Sequence, residues 1–412
     1  MNLDSKRLSS REISPLIDLA GQESGPFFVY RTDSIKKQYA RLKRAFSQLP
    51  VHIHYACKAL SNLEILRFIR SLGCGLDAVS LQEVKLGIEA GYATQDILFT
   101  PNGAAWEEME EAIKLGVRIN VDAISTLEKM GEYYSDTPIC IRVNPHIMAG
   151  GNSKISVGHI DSKFGISIHQ MPHVHKLVDS WGLNVEALHM HTGSDILDAE
   201  VFLRAADILL NAAMEFPNLR YIDMGSGFKV AYKEGDLQTD IERLGELITE
   251  RMLRFYSEYG KEVQLVFEPG KFLVSEAGLF LTQVTNVKIT PSTMFASVNT
   301  GFNHLIRPMF YDAYHHIENL SNPEGQTRIY NVVGYLCETD TFAVNRRIAS
   351  ISEGDTLCFY NAGAYCYSMA SNYNSRFRPA EYLWHEEKLY CIREAEDFED
   401  LIRLQKSTGL FV

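Results

Sequence analysis

No run of apolar residues in this 412-residue chain approaches the roughly 18 that a membrane-spanning helix needs, which argues against a helical membrane protein. Positive charge is also in short supply. With 52 acidic residues against 40 basic ones, the formal net charge of −12 disfavours a nucleic-acid partner, which calls for a basic surface to displace counterions. That balance still allows a locally basic pocket for an anionic ligand. The seven cysteines (57, 74, 140, 337, 358, 366, 391) form no C-x-x-C pair, and their odd number argues against a disulfide framework. The segment Met1-Asn2-Leu3-Asp4-Ser5-Lys6-Arg7-Leu8 lacks the apolar stretch of a secretory signal. The expectation is a reducing, cytoplasmic setting.

What the chain does have is a repeated strand-then-helix unit and an ordinary apolar fraction of 46%, enough for a large core. The run His52-Ile53-His54-Tyr55-Ala56-Cys57-Lys58-Ala59 alternates like a strand and puts a lysine where the strand gives way to a helix. Similar β-rich runs end at Leu76-Asp77-Ala78-Val79-Ser80, Ile97-Leu98-Phe99-Thr100, Arg118-Ile119-Asn120-Val121-Asp122, Ile139-Cys140-Ile141-Arg142-Val143-Asn144, Ala187-Leu188-His189-Met190-His191, Tyr221-Ile222-Asp223-Met224-Gly225 and Leu265-Val266-Phe267-Glu268. Most precede apolar residues at helical spacing. Eight such units in roughly 240 residues match a (β/α)8 TIM-type barrel, whose chemistry sits at the C-terminal strand ends.

A chain of 412 residues is too long for one barrel and too short for two. After about residue 275 helical patterns nearly vanish, and 278–290, 294–299, 327–337, 354–365 and 380–393 read as strands. Pro26-Phe27-Phe28-Val29-Tyr30 precedes the first barrel helix, expected over 34–49, and is assigned to that C-terminal sheet. The division is a barrel over 33–274 and a β-sandwich or β-barrel domain formed by 1–32 and 275–412. One long loop, from His146 to Ser162, carries glycines at 150, 151 and 158 and reads either as a functional lid or as plain disorder.

The strand ends carry the chemistry. Lys58 closes an apolar strand, where desolvation would lower its pKa and make the amine a nucleophile toward a carbonyl; a lysine reaching out to solvent is the competing reading. His189 and His191 lie at i and i+2 on one side of the sixth strand, which suits zinc, simple packing, or an imidazole lying flat against a planar cofactor. After the seventh strand, Gly225-Ser226-Gly227 lets backbone N–H groups approach a phosphate at the place where barrels usually hold one, with Ser194 adding a hydroxyl. Glu268 ends the eighth strand among apolar neighbours, a costly position unless something positive faces it. Together these are the fixtures pyridoxal 5'-phosphate requires: a Schiff-base lysine, ring support, a phosphate grip and a partner for the pyridine nitrogen.

The ordered motifs Tyr55-Ala56-Cys57-Lys58-Ala59, Ser162-Lys163-Phe164-Gly165, His189-Met190-His191-Thr192-Gly193-Ser194, Glu268-Pro269-Gly270, Arg307-Pro308 with Tyr311-Asp312-Ala313, Cys337-Glu338 and Gly363-Ala364-Tyr365 span nearly the whole chain. On these the sequence resembles the fold-type III (group IV) pyridoxal-phosphate-dependent amino-acid decarboxylases, whose barrel and β domain are alanine racemase-like. Within the family the pattern is nearest to the branch acting on meso-diaminopimelate. The resemblance implies that Lys58 forms the Schiff base, His191 stacks on the ring, Glu268 pairs with the pyridine nitrogen, and Ser194, Gly225, Gly227, Gly270 and Tyr365 surround the phosphate. It further implies that Arg307 and Tyr311, with Lys271 and Tyr365, bind substrate. Cys337 then protonates the carbanion and Glu338 contacts the distal ammonium, both from the second subunit of a homodimer with shared active sites.

Four positions depart from the family pattern. Gly225-Ser226-Gly227-Phe228-Lys229 replaces Gly-Gly-Gly-x-Gly, and Lys229 either helps neutralise the phosphate or faces solvent. Lys271 replaces the arginine of Glu-Pro-Gly-Arg and cannot grip a carboxylate with two parallel bonds. Asp195 replaces a glutamine, and Cys337-Glu338-Thr339-Asp340 lacks the usual Ser-Gly. A cation from Arg307 with Lys271, and an anion from Glu338, suit a diamino diacid, giving lysine and CO2 as expected products in the last step of lysine biosynthesis. The alternatives are a related decarboxylase of a D-amino acid, of ornithine or lysine, or of a carrier-linked acid, and a catalytically inactive regulatory homologue. No metal is expected.

Overall fold

A computed structural model of the chain describes residues 8–147 and 162–410. The loop expected over His146–Ser162 lies, from 148 to 161, outside the described residues. The described chain divides into two compact units: one holds the residues up to Asp33, Tyr232–Asp236 and those from Val274 onward, the other Ser34–Ala231 and Leu237–Leu273.

The second unit is a closed barrel of eight parallel strands, Val51–Ala56, Gly75–Ala78, Ile97–Phe99, Arg118–Val121, Ile139–Asn144, Val185–His189, Tyr221–Asp223 and Gln264–Phe267. Closure comes from the pairing of the eighth strand with the first, Leu265 opposite Val51 and Phe267 opposite Ile53. All eight strands fall where alternation and β-branched content put them. The helices between them are stopped and started by local chemistry. Asn62, Ser80, Asp198 and Asp240 accept hydrogen bonds from backbone N–H groups of the helices Leu63–Ser71, Leu81–Glu89, Ala199–Ala213 and Ile241–Tyr259. Gly116, Gly182 and Gly260, at φ of 75°, 64° and 85°, end the helices Trp106–Leu115, Met171–Trp181 and Ile241–Tyr259 in the left-handed region. The first barrel helix runs Thr32–Ala45, two residues earlier than expected at its start and four at its end.

Within the barrel, Leu98, Cys140, Ala187, Tyr221 and Val266 pack together as an apolar group. Toward the C-terminal strand ends the buried residues turn polar: His54, Asp77, Asn120, Arg142, His189, Asp223 and Glu268. A polar layer inside a closed barrel is expensive unless it is paired or functional.

The other unit is built on a nine-stranded sheet. Phe27–Arg31 pairs antiparallel with Gly278–Ile289 and parallel with Ala380–His385, so the early strand does join the C-terminal sheet. Phe28 stacks on Phe280 with ring centroids 4.4 Å apart. The run 380–393 is a hairpin, Ala380–His385 with Lys388–Arg393, rather than one strand. Elements not expected from the sequence include the helices Ser10–Gln22, Arg307–Tyr311 and Phe398–Ile402 and the strands Ile317–Asn319 and Thr341–Ala349.

Candidate active site

The first barrel strand ends at Ala56, and a single 3-10 turn, Cys57–Ala59, follows. Cys57 and Ala59 are buried, whereas Lys58 is exposed. Of the two readings of Lys58, the structure gives the exposed side chain: the turn breaks the inward-outward alternation, and the lysine charge still acts on Asp77, His191 and Glu268.

His189 and Glu268 form the centre of the polar layer. Asn120 donates from Nδ2 to His189 Nδ1 at 2.9 Å, so the imidazole carries its proton on Nε2, which faces Glu268 Oε2 at 3.1 Å. Burial lowers the His189 pKa, which keeps the ring neutral. Three carboxylates share this region. Burial, then the Glu268 charge, pushes Asp77 up to about 8, and the same two causes push Asp223 well above its ordinary range. Burial also acts to raise Glu268, but His189, His191 and Lys58 outweigh it and hold this carboxyl below its usual value. Like charges this close cannot all ionise, and Glu268 is the member with donors and cations around it. Its other oxygen, Oε1, is buried with no hydrogen-bond partner among the described residues.

His189, Asp223 and Glu268 lie close enough together to suggest a metal site. With the His189 Nε2 proton directed at Glu268 and Asp223 held toward its protonated form, the set fits a proton-holding network better than three ligands. His191 is not part of that group. The Ser226 N–H points at His191 Nδ1 from 3.4 Å, and burial, then Lys58 and Arg142, lower the His191 pKa well below the usual value. The result is a neutral, oriented ring.

The turn after the seventh strand is a backbone cradle. Gly225 and Gly227 adopt φ of 61° and 108°. A Cβ on Gly225 would lie 2.5 Å from the Met190 carbonyl oxygen, and one on Gly227 would lie 2.1 Å from that of Gly193. Ser226 Oγ donates to the Glu268 carbonyl at 2.8 Å, tying the cradle to the eighth strand end. Ser194 is half-buried beside it in the next loop, Lys229 is half-buried, and a Cβ on Gly270 would touch Ala59 and Ala56 at 3.0 and 3.1 Å. Lys271 forms an ion pair with Asp195.

In the other unit Arg307 opens the short helix Arg307–Tyr311 and is buried. Its guanidinium lies 5.2 Å from the Tyr232 ring centroid and 5.8 Å from that of Tyr311, two contacts that fix its plane. Tyr365, half-buried, has a φ of 57°, a strained conformation for a bulky residue. Cys337 and Glu338 are exposed. Asn374 donates from Nδ2 to Cys337 Sγ at 3.2 Å, and its Oδ1 accepts the Cys337 N–H at 3.2 Å. Tyr373 donates its phenol proton to Glu338, which pushes the Tyr373 pKa up to about 12. Cys337 and Asn374 line a cavity of about 480 Å³ together with Tyr335, Ser375, Arg376 and Phe377.

Sequence reasoning missed Asp77, Asn120, Arg142 and Asp223, and it left His189 undecided. Each lies in a different, mostly apolar strand, and only barrel closure brings them together. A polar residue recurring near the C-terminal end of successive apolar strands was the available signal.

The chain as a whole is matched by known proteins. The chain belongs to the pyridoxal-dependent decarboxylases: the family pattern described as "Pyridoxal-dependent decarboxylase, pyridoxal binding domain" matches residues 32–275. Within that class, the relatives similar over most of its length include diaminopimelate decarboxylases. That of Methanothermobacter thermautotrophicus is 38% identical over 403 residues, covering 94% of this chain and 93% of the relative. The crystal structure of diaminopimelate decarboxylase from Helicobacter pylori complexed with L-lysine is 32% identical, with a TM-score of 0.87 over 94% of this chain and 98% of that one. A lysine/ornithine decarboxylase from Vibrio vulnificus, at 22% identity and a TM-score of 0.80, shares the fold.

Proposed function

We propose that this chain is a pyridoxal-phosphate-dependent lyase that removes one carboxylate of meso-2,6-diaminopimelate to give L-lysine and CO2, the last step of lysine biosynthesis. The observation that carries the reading is Glu268: a buried carboxylate held below its usual pKa, whose Oε1 has no hydrogen-bond partner among the described residues, with the His189 donor and the Lys58 charge favouring its ionised form. That oxygen suits a protonated pyridine nitrogen, and the cradle that excludes a Cβ at Gly225 and Gly227 suits a phosphate.

Pyridoxal phosphate, when bound, supplies the electron sink for the pair left behind as CO2 departs. The chain's own residues do the rest. Lys58 would hold the cofactor through Nζ. Glu268 would hold the ring nitrogen's proton through Oε1, and His189 favours the ionised form of Glu268 through Oε2. The neutral His191 ring supports the cofactor face. Ser194, Gly225, Gly227 and Tyr365 bind the phosphate, with Gly270 leaving room beside it. Arg307, steadied by Tyr232 and Tyr311, takes the distal carboxylate. Cys337 returns a proton from Sγ to the carbon that lost CO2, and Glu338 takes the distal ammonium.

Cys337 and Glu338 are proposed to act from a second copy of the chain, in a homodimer with two shared sites. Their exposure, with Asn374 and Tyr373 holding both side chains, supports this. All seven cysteines are free, which supports a cytoplasmic setting, and no helix among the described residues is long and apolar enough to cross a membrane. The test is borohydride reduction of the protein loaded with pyridoxal phosphate, followed by peptide mapping. The modification is expected on Lys58; modification of another lysine, or of none, would overturn the assignment.

A further inference from the structure

Two of the residues that break the family pattern meet in space. Asp195 follows the sixth barrel strand and Lys271 opens the turn after the eighth, and their side chains form an ion pair that leaves the lysine 11% and the aspartate 30% exposed. Asp195 sits at φ 61°, so the loop is bent sharply at this position, directly after Gly193 and Ser194. The turn Gly225-Ser226-Gly227 lies between the same two loops. On one side, Ile196 N–H donates to the Gly227 carbonyl at 2.9 Å, and the Gly193 carbonyl crowds Gly227. On the other, Ser226 Oγ donates to the Glu268 carbonyl at 2.8 Å, and the Glu268 N–H donates to the Gly225 carbonyl at 2.8 Å. The ion pair closes the remaining side of this three-loop ring.

We infer that Lys271 is a positioning residue of the phosphate cradle: with Asp195 it clamps the sixth and eighth loops around the seventh and neutralises a carboxylate that would otherwise repel an anion there. The inference rests on the cradle's binding a phosphate, as proposed above. It gives Lys271 a different role from the substrate grip expected from the sequence. A lysine already held by a carboxylate in a mostly buried place is a poor second partner for a substrate carboxylate, which would have to displace Asp195. Removing the lysine alone leaves Asp195 uncompensated beside the cradle, which costs more than removing both.

The test is a double-mutant cycle of Lys271→Met, Asp195→Asn and the double variant. Apoprotein is titrated with pyridoxal phosphate and, separately, with pyridoxal, and the substrate KM is measured on the loaded forms. Lys271→Met is expected to weaken pyridoxal phosphate binding by about tenfold or more, with pyridoxal affected by no more than about twofold. Adding Asp195→Asn is expected to restore most of the loss. Lys271→Arg, which keeps the pair, is expected to bind the cofactor as the parent does, and far-ultraviolet circular dichroism checks that each variant is folded. Unchanged cofactor affinity in Lys271→Met with a KM raised about tenfold would overturn the inference in favour of a substrate contact. Strictly additive effects in the double variant would overturn it too. If the parent protein itself bound no pyridoxal phosphate, the phosphate reading would fall first and the inference with it.

Discussion

His189 directs its Nε2 proton at Glu268 Oε2 across 3.1 Å, and Asn120 fixes that tautomer from the other side of the ring at 2.9 Å. One buried carboxylate is thereby kept ionised among three. Glu268 is held below its ordinary pKa by this contact, so it stays charged until the pH falls well into the acid range. Replacing His189 by phenylalanine fills the space but removes the donor. The Glu268 pKa then rises, and the acid limb of the kcat/KM profile is expected to move to higher pH, with activity at neutral pH reduced by roughly tenfold or more. An unshifted acid limb in His189→Phe would separate the two residues functionally.

Glu268→Gln keeps the shape of the side chain and loses the charge. A loss of roughly a hundredfold or more in kcat is expected, with cofactor still bound through Lys58 and the cradle. Steady-state kinetics on the fully loaded variant is the check, and near-normal turnover would show that no anion is needed at this position.

Asp77 titrates in the opposite sense. Its folded pKa is raised to about 8, so the protonated folded form contributes stability that is fully present below the unfolded carboxylate value of about 4 and lost as pH rises through about 8. Urea unfolding of the apoprotein is expected to show stability falling between those two values, and a shallower fall in Asp77→Asn. Parallel profiles for the two proteins would place the ionised carboxylate elsewhere.

Gly227→Ala introduces a Cβ 2.1 Å from the Gly193 carbonyl oxygen at a φ of 108°. Either the turn shifts or the sixth loop moves away. Equilibrium titration is expected to show pyridoxal phosphate affinity reduced by about tenfold or more, with the far-ultraviolet spectrum retained. Full affinity in this variant would mean that the phosphate sits elsewhere.

Tyr373→Phe removes the proton donated to Glu338 while leaving Cys337 on Asn374. If Glu338 holds the distal ammonium, loosening it raises KM by a few-fold, of order about 1 kcal/mol for a hydrogen bond to a charged group, with kcat little changed. Asn374→Ala is expected to lower kcat instead. Equal effects on both parameters in both variants would argue for a merely structural loop.

The barrel was readable because its strands are short apolar runs, most of them followed by apolar residues at helical spacing, and some of those helices begin at a capping side chain such as Asn62 or Asp240. The strand Thr341–Ala349 escaped notice because Val344 points outward and Asn345-Arg346-Arg347 break the apolar alternation. The helix Ser10–Gln22 did carry a signal, Ser9 and Glu12 at capping-box spacing, which the reading passed over. At the site, Lys58, His191 and Glu268 stood out because charged or flat polar residues end apolar strands. Asn120 and Arg142 did not, since nothing local distinguishes a functional polar residue in a buried strand from a merely satisfied one. Asp195 and Lys271 were visible as two separate oddities 76 residues apart, and only the fold makes them a pair.

The central claim is the reaction itself. The purified protein, loaded with pyridoxal phosphate, is incubated separately with meso-diaminopimelate, L-lysine and L-ornithine, and CO2 and the amine products are quantified together by mass spectrometry. The account predicts equal amounts of CO2 and L-lysine from meso-diaminopimelate and no CO2 from the other two. CO2 from lysine or ornithine, with none from meso-diaminopimelate, would keep the cofactor chemistry and contradict the substrate assigned to Arg307 and Glu338.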